Sequence, residues 1–348
     1  MGTEIGFYLG KFTILHRGHQ HVIDLALRET DKLIILIYDS PTCTDIPLSV
    51  RADWIRAIYA KKNIEVIEGW NSPEDQGYTD EITRIQNEYI LEMVGEKGIT
   101  KFYNAEAYGD HVSEALHCEN CHKDKVMTIK DGNGQDQPLG AHYIQTDAYL
   151  YREFIHPTVY KDLITKVVFL GAESTGKSTI AEKLALEYNT QWMPEYGREY
   201  WFANQVDGKL TPEQLAEIAK THVRQESSLI HDSNTYLFVD TNALTTYIFS
   251  LNYHGYANEE LQTLADRCAR AYDLVFLCDT DIPYDATWDR GSREHQLRTQ
   301  RRIKCDLITR KIPFMELSGS LQTRIDKVKN ILSSFSKWKN HFVEQSVN

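Results

Sequence analysis

Two clusters of residues carry chemistry in their spacing. The first is Gly171-Ala-Glu173-Ser174-Thr175-Gly176-Lys177-Ser178-Thr179, a Gly-x-x-x-x-Gly-Lys-Ser pattern. Gly171 and Gly176 let backbone N–H groups wrap phosphate oxygens, Lys177 reaches the β and γ phosphates, and the Ser178 hydroxyl is a Mg²⁺ ligand. The apolar run ending at Leu170 and the helical stretch Ile180 to Tyr188 supply the strand and the helix that this loop needs. A helix N-terminus adds partial positive charge for an anion. The bland alternative, a glycine-rich turn that only reverses the chain, does not account for those flanks. ATP with Mg²⁺ is the expected ligand.

The second cluster is Gly10-Lys11-Phe12-Thr13-Ile14-Leu15-His16-Arg17-Gly18-His19. His16 and His19 stand three apart where a loop enters a helix, so both imidazoles can face one ligand, and Gly18 lets the backbone approach it. Alone, a His-x-Gly-His segment is as readily two satisfied histidines at a helix start. Following a first strand and Gly10-Lys11-Phe12, it is similar to a nucleotidyltransferase signature, in which such histidines contact ATP phosphates and stabilise the charge that builds during adenylyl transfer.

Further residues collect around the phosphate loop. Glu195-Tyr196-Gly197-Arg198-Glu199-Tyr200 follows the next strand position and should face a cleft, with Glu195 accepting from a substrate hydroxyl and Arg198 holding a phosphate. A surface ion-pair network is the alternative there. Tyr236 to Val239 reads as a buried strand ending in Asp240-Thr241, and a carboxylate at that place organises Mg²⁺ or takes a proton in P-loop kinases. Trp288-Asp-Arg-Gly-Ser-Arg293, with Arg298, Arg301 and Arg302 beyond it, is the most cationic stretch and fits a phosphoryl-transfer lid, Arg293 being the preferred member and Arg302 a weak one. No Asn-Lys-x-Asp base-reading motif is present, which argues against a guanine-nucleotide switch.

These residues need two scaffolds. At 348 residues the chain is long enough for two domains of about 100 to 200 each. With 42% hydrophobic and 25% charged residues, each half can build a core. In the first half, Glu4 to Leu9, Arg17 to Arg28 and Lys32 to Asp39 read as a βαβ start, followed by helices at Arg51 to Lys61 and Thr79 to Glu96 and strands at Glu65 to Ile67 and Lys101 to Tyr103. In the second, Thr211 to Asp232 is a long helix with Thr211, Pro212 and Gln214 composing its N-terminal cap. Ala243 to Leu251 continues as helix and Leu274 to Cys278 as strand. The expected class is therefore α/β with mainly parallel sheets: a Rossmann-like nucleotidyltransferase domain at 1–163 and a P-loop kinase domain at 164–348.

A net charge of −12 argues against broad nucleic-acid binding, and no apolar run approaches the ~18 residues of a membrane span. Residues 1–10 are too polar for a secretory signal, so a cytoplasmic protein is expected. The six cysteines, dispersed but for one pair, fit reduced thiols. His117-Cys118-Glu119-Asn120-Cys121-His122 is the one possible zinc site, but ligands so bunched need a second pair, and a surface loop with reduced cysteines is the preferred reading. Asp131 to Pro138 reads as a turn-rich loop.

Taken together, the His16-x-Gly-His19 segment, the loop at 171–178, Glu195 to Tyr200 and Asp240-Thr241 resemble the bifunctional nicotinamide-nucleotide adenylyltransferase and ribosylnicotinamide kinase family, the NadR type, over nearly the whole chain. The resemblance implies phosphorylation of nicotinamide riboside by ATP, with Lys177, Ser178, Asp240, Glu195 and lid arginines as the machinery. It also implies adenylyl transfer to the resulting mononucleotide, giving NAD and pyrophosphate, with Lys11, His16 and His19 on ATP. Tyr78 is the nearest candidate to stack on nicotinamide, and Glu106 lies in a loop expected to face the same site. The chain starts at its first strand, so the helix-turn-helix that some members carry is expected to be absent. Ile14 stands where the family usually has proline, and Leu139-Gly140…Ile144-Gln145 stands where it has Ile-Ser…Ile-Arg, whose arginine binds the triphosphate. Two rival readings stay open: a kinase-only enzyme whose first domain merely binds pyridine nucleotide, and a non-catalytic NAD sensor. The sequence leaves homo-oligomerisation open.

Overall fold

Strands form where β-branched and aromatic runs can be buried on both faces. Val167, Val168, Phe169 and Leu170 are all within 1% of full burial, the signature of a central strand in a parallel sheet covered by helices on both sides. The computed structural model describes residues 2–74, 77, 79–105, 109–123, 127–130, 134–284 and 292–339. Tyr78, Glu106 and the Trp288 to Gly291 part of the expected lid lie outside them. The chain divides into two compact units, one formed by the chain up to Tyr160 together with the stretch from Trp338 on, the other spanning Lys161–Lys337.

The first unit runs β1 (Ile5–Gly10), α1 (Arg17–Glu29), β2 (Lys32–Tyr38), α2 (Leu48–Ile58), β3 (Ile64–Gly69), α3 (Asp80–Val94), β4 (Lys101–Asn104), α4 (Gly109–Leu116) and β5 (Glu119–His122). Its five strands are parallel in the order β3-β2-β1-β4-β5. The chain steps outward from β1 to β3 and then returns to the other side of β1. The topological switch therefore falls between β1 and β4, where ligands bind in open α/β sheets. Phe7, Leu9, Ile34, Leu36 and Phe102 fill the core on one face. A two-stranded antiparallel ribbon of β6 (Thr128–Lys130) and β7 (Asp136–Pro138) follows, then α5 (Ala141–Thr146); α6 (Pro157–Leu163) spans the boundary between the units.

Two expectations are corrected here. The His117 to His122 segment is not a surface loop: Glu119–His122 forms β5, tied to its neighbour by Glu119 N–H donating to Thr100 O (2.9 Å) and Lys123 N–H to Asn104 O (2.8 Å). Ladder hydrogen bonds to β4 order a stretch whose own side chains show no apolar run. Within β5 Cys121 is buried while Glu119 and His122 are exposed. Asp136–Pro138, expected within a loop, is likewise a strand.

The second unit runs β8 (Thr165–Leu170), α7 (Lys177–Glu187), β9 (Gln191–Met193), α8 (Tyr196–Asn204), α9 (Pro212–Leu229), β10 (Tyr236–Asp240), α10 (Ala243–His254), α11 (Glu259–Cys268), β11 (Leu274–Cys278), α12 (Arg293–Thr309), β12 (Met315–Leu317) and α13 (Leu321–Ser334). Its strands are all parallel in the order β12-β11-β8-β10-β9. Phe169 stacks between Phe276 (5.6 Å) and Phe238 (6.3 Å) on the neighbouring strands, anchoring the core beneath β8. The cap read for α9 is present, with Gln214 N–H donating to Thr211 Oγ1 and Gln214 Oε1 accepting from Thr211 N–H. Among the described residues no helix is long and apolar enough to cross a membrane.

Candidate active sites

The loop after β8 adopts the conformation its glycines allow. Gly171 has φ 142°, and a Cβ there would lie 2.7 Å from the Cys278 carbonyl oxygen. Gly176, at φ 80°, is the N-cap of α7, a left-handed position that disfavours other residues. Thr175 turns inward and its hydroxyl donates to Ala172 O at 2.8 Å, while the buried Lys177 ammonium donates to the same carbonyl at 2.8 Å. Ser178 Oγ donates to Asp240 Oδ2 at the end of β10. These contacts place an ammonium, a hydroxyl and a carboxylate around one phosphate loop.

Asp240 is fully buried, and its Oδ1 has no hydrogen-bond partner among the described residues. Burial pushes its carboxyl up to about 6, the Lys177 charge pulls it down, and the Glu195 carboxylate pushes it up again. A proton acceptor with a value near 6 and an unengaged oxygen suits general-base work. Its other oxygen, Oδ2, forms with Ser178 Oγ the donor pair of a hard divalent cation.

Three residues that sequence reasoning missed hold the loop. Gln300 accepts from Ala172 N–H (2.8 Å) and donates to Cys278 O (3.0 Å), while Gln296 donates to Glu173 O (2.6 Å). Arg324, 1% exposed, donates to Thr175 O (2.8 Å), Asp279 O (3.2 Å) and Gly319 O (3.0 Å) and pairs with Asp281. Arg324 thereby ties together the loops that follow β8, β11 and β12. Nothing local marks these residues, because each acts on a carbonyl distant in the chain.

The loop opens on a cavity of about 930 Å³. Glu173 to Thr179, Glu195 and Arg198 line it, together with the aromatic side chains of Trp201, Phe249 and Tyr253 that were not anticipated. Tyr196 faces elsewhere: its ring packs on Tyr200 (6.0 Å) within the hydrophobic cluster around α9 and α10. Arg293 is not among the lining residues, since its guanidinium donates to Thr280 O (2.7 Å) and to Gln296. Arg302 donates to Asn252. Glu173 accepts or pairs through Oε1 with His295 Nδ1 at 3.2 Å, and its Oε2 has no partner among the described residues.

In the first unit the loop between β1 and α1 meets the switch point, where a cavity of about 1020 Å³ is lined by Gly10, Lys11, Phe12, His16, Gly18 and His19 among others. His16 caps α1: its Nδ1 accepts from Gly18 N–H at 3.1 Å, while His19 Nδ1 accepts from His16 N–H at 3.4 Å. Accepting Nδ1 atoms put the proton of each neutral ring on Nε2. The two rings stack at 3.8 Å, and Phe12 meets His19 edge-on at 5.0 Å. Gly18 is required for this arrangement, as a Cβ there would sit 2.9 Å from the His16 ring. Arg51, buried beneath the loop, donates to the carbonyls of Tyr38, Ile46, Lys11 and Asp39. Burial lowers its value to about 10. Lys11 Nζ lies 3.2 Å from Cys43 Sγ, and Gln145 donates to the Cys43 carbonyl at 3.3 Å. Lys11 is the single lysine or arginine lining this cavity among the described residues.

Comparison with known proteins places this geometry. Residues 166–324 match the family described as "AAA domain". "Trifunctional NAD biosynthesis/regulator protein NadR" of Salmonella typhimurium (strain LT2) is 28% identical over 303 residues, covering 81% of this chain and 70% of that protein. The chain is a homologue of NadR. A solved NadR protein in complex with NAD and AMP-PNP aligns over 96% of this chain and 98% of its own at a TM-score of 0.55 with 20% identity. A NadR protein in complex with NR aligns over 96% of both chains at 0.56 with 21% identity. The NadR fold thus accounts for both α/β units.

Proposed function

We propose that the second unit phosphorylates nicotinamide riboside with ATP, and that the first joins the resulting mononucleotide to the adenylyl group of ATP, giving NAD and pyrophosphate. The observation that carries the reading is Asp240, buried at the end of β10 with one oxygen on Ser178 of the phosphate loop and the other unengaged. The homology to NadR, and the solved NadR complexes with NAD, AMP-PNP and NR, support the choice of substrates.

In the second unit, loop N–H groups and Lys177 hold the triphosphate. Ser178 and Asp240 are the residues that would hold Mg²⁺, which when bound offsets charge on the phosphate oxygens. Asp240 orients the riboside 5′-hydroxyl and takes its proton as that oxygen attacks the γ-phosphorus, with ADP leaving; Glu195 and Arg198 line the cavity, and their charges act on the Asp240 carboxyl. Trp201, Phe249 and Tyr253, set against the carboxylates of Glu173 and Glu195, suit a flat cationic ring such as a pyridinium. In the first unit, His16 and His19 donate through Nε2 to the ATP phosphates with Lys11, stabilising the charge that grows as the mononucleotide phosphate oxygen attacks the α-phosphorus and pyrophosphate departs.

That Lys11 is the single lysine or arginine lining the first cavity among the described residues favours one second reading, a kinase whose first unit binds pyridine nucleotide without turning it over. Supplying the mononucleotide, ATP and Mg²⁺ to the purified protein separates the two. NAD formation supports the bifunctional enzyme, and its absence leaves the kinase alone.

A further inference from the structure

Left-handed backbone at a β-branched residue is uncommon and costs free energy. Among the described residues two threonines adopt it, Thr235 at φ 60° and Thr241 at φ 64°. Thr235 sits in an exposed turn. Thr241 is 5% exposed, directly follows Asp240 and lines the cavity of the second unit. Its N–H donates to Phe169 O at 3.1 Å, and the next residue, Asn242, caps α10 by accepting from Leu244 N–H at 3.0 Å. The chain thus turns from β10 into α10 through these two residues, with Thr241 as the left-handed one. Glycine or asparagine would fill that position at less cost. What threonine adds is a methyl and a hydroxyl, and among the described residues no hydrogen bond engages the hydroxyl. The Thr245 hydroxyl, also unpartnered, is sealed within the fold, whereas that of Thr241 is not and opens on the cavity. Thr241, Thr245, Phe249 and Tyr253 recur every fourth residue and all line the cavity, so one face leads from the Asp240 carboxylate past a hydroxyl to aromatic rings. A riboside carries its chemistry in the same order: a reacting hydroxyl, a sugar, a flat base.

We propose that Thr241 is a specificity-determining residue of the acceptor cleft, held in its left-handed turn so that its hydroxyl meets a sugar hydroxyl of the phosphate acceptor while Asp240 addresses the hydroxyl that reacts. This rests on the riboside-kinase reading of the same cavity and deepens it. The contact makes the enzyme selective for ribosides over one of the two deoxyribosides, because a substrate lacking that hydroxyl leaves the threonine unpaired in a closed site.

The test is a double-mutant cycle between enzyme and substrate. Wild type, Thr241→Val and Thr241→Ser are assayed with ATP and nicotinamide riboside, and with its 2′-deoxy and 3′-deoxy analogues. Valine keeps the β-branched shape and removes the hydroxyl; serine keeps the hydroxyl and removes the methyl. Wild type should lose about tenfold in kcat/KM when one of the two sugar hydroxyls is removed, the size of one neutral hydrogen bond. Thr241→Val should lose about tenfold on the riboside, chiefly through its KM, and be indifferent to that same hydroxyl, with KM for ATP within about twofold of wild type. Thr241→Ser should keep the wild-type discrimination. A Thr241→Val enzyme that loses equally on riboside and both analogues, or loses nothing, overturns the assignment, as does a wild type indifferent to both hydroxyls. Thr241→Gly, which takes the turn without strain, decides in the same way if the Val variant does not fold. No phosphorylation of the riboside by wild type would instead remove the kinase reading, and this proposal with it.

Discussion

Asp240 concentrates the chemistry at the residue scale. Burial pushes its carboxyl up from the ordinary 3.8 to about 6. If it takes the riboside proton, phosphorylation should fall on the acid side with a single limb, and Asp240→Asn should be slow by at least about a hundredfold with that limb gone. The linkage runs the same way in stability. A folded value above the unfolded one gives stability that is fully present below pH 3.8 and lost as pH rises through 6. At pH 7–8 the ionised group is a net cost, so Asp240→Asn should melt higher there than wild type and show no such gain near pH 4, as thermal scans at the two pH values would report. Lys177→Ala should lower riboside phosphorylation by about 10²- to 10³-fold. Its conversion of mononucleotide to NAD should stay within about twofold of wild type in a parallel assay.

At the scale of elements, each site depends on a loop held by distant groups. Arg324→Leu would leave the Thr175, Asp279 and Gly319 carbonyls without their donor, and each buried unpaired group costs about 1–3 kcal/mol. The expected outcome is a lower melting temperature and a raised KM for ATP, with Arg324→Lys intermediate. Gly18→Ala tests the other loop. Its Cβ would press on the His16 ring at 2.9 Å, so NAD formation from mononucleotide should drop about tenfold or more. Displacing that ring also disturbs the N-cap of α1, a loss of about 1 kcal/mol that alanine's better helix propensity offsets in part. The Gly171-to-Thr179 loop, the capped α9 and the parallel strands were legible because each is written in a local pattern. Arg324, Gln296 and Gln300 were not, because their partners are carbonyls brought near only by the sheet order. β5 was missed for a related reason, its order coming from the ladder to β4 rather than from its own polar residues.

Across the whole molecule, two parallel sheets each present one glycine-containing loop, lining a cavity, at the carboxyl end of a central strand, β1 in one and β8 in the other. The anticipated Lys11, His16 and His19 line the first cavity, and Lys177, Ser178, Glu195 and Arg198 the second. Tyr196 and Arg293 do not line the second cavity, because an aromatic beside a glycine and an arginine at a helix start read alike whether they face a cleft or a neighbour. The cavity's aromatic side, Trp201, Phe249 and Tyr253, was hidden among ordinary helix residues. The central claim is that the protein converts nicotinamide riboside through its mononucleotide to NAD. Its most direct test is a time course of products from nicotinamide riboside, ATP and Mg²⁺, resolved for both species. Mononucleotide rising first and NAD following is the predicted result; no mononucleotide from an intact, ATP-binding protein would contradict it.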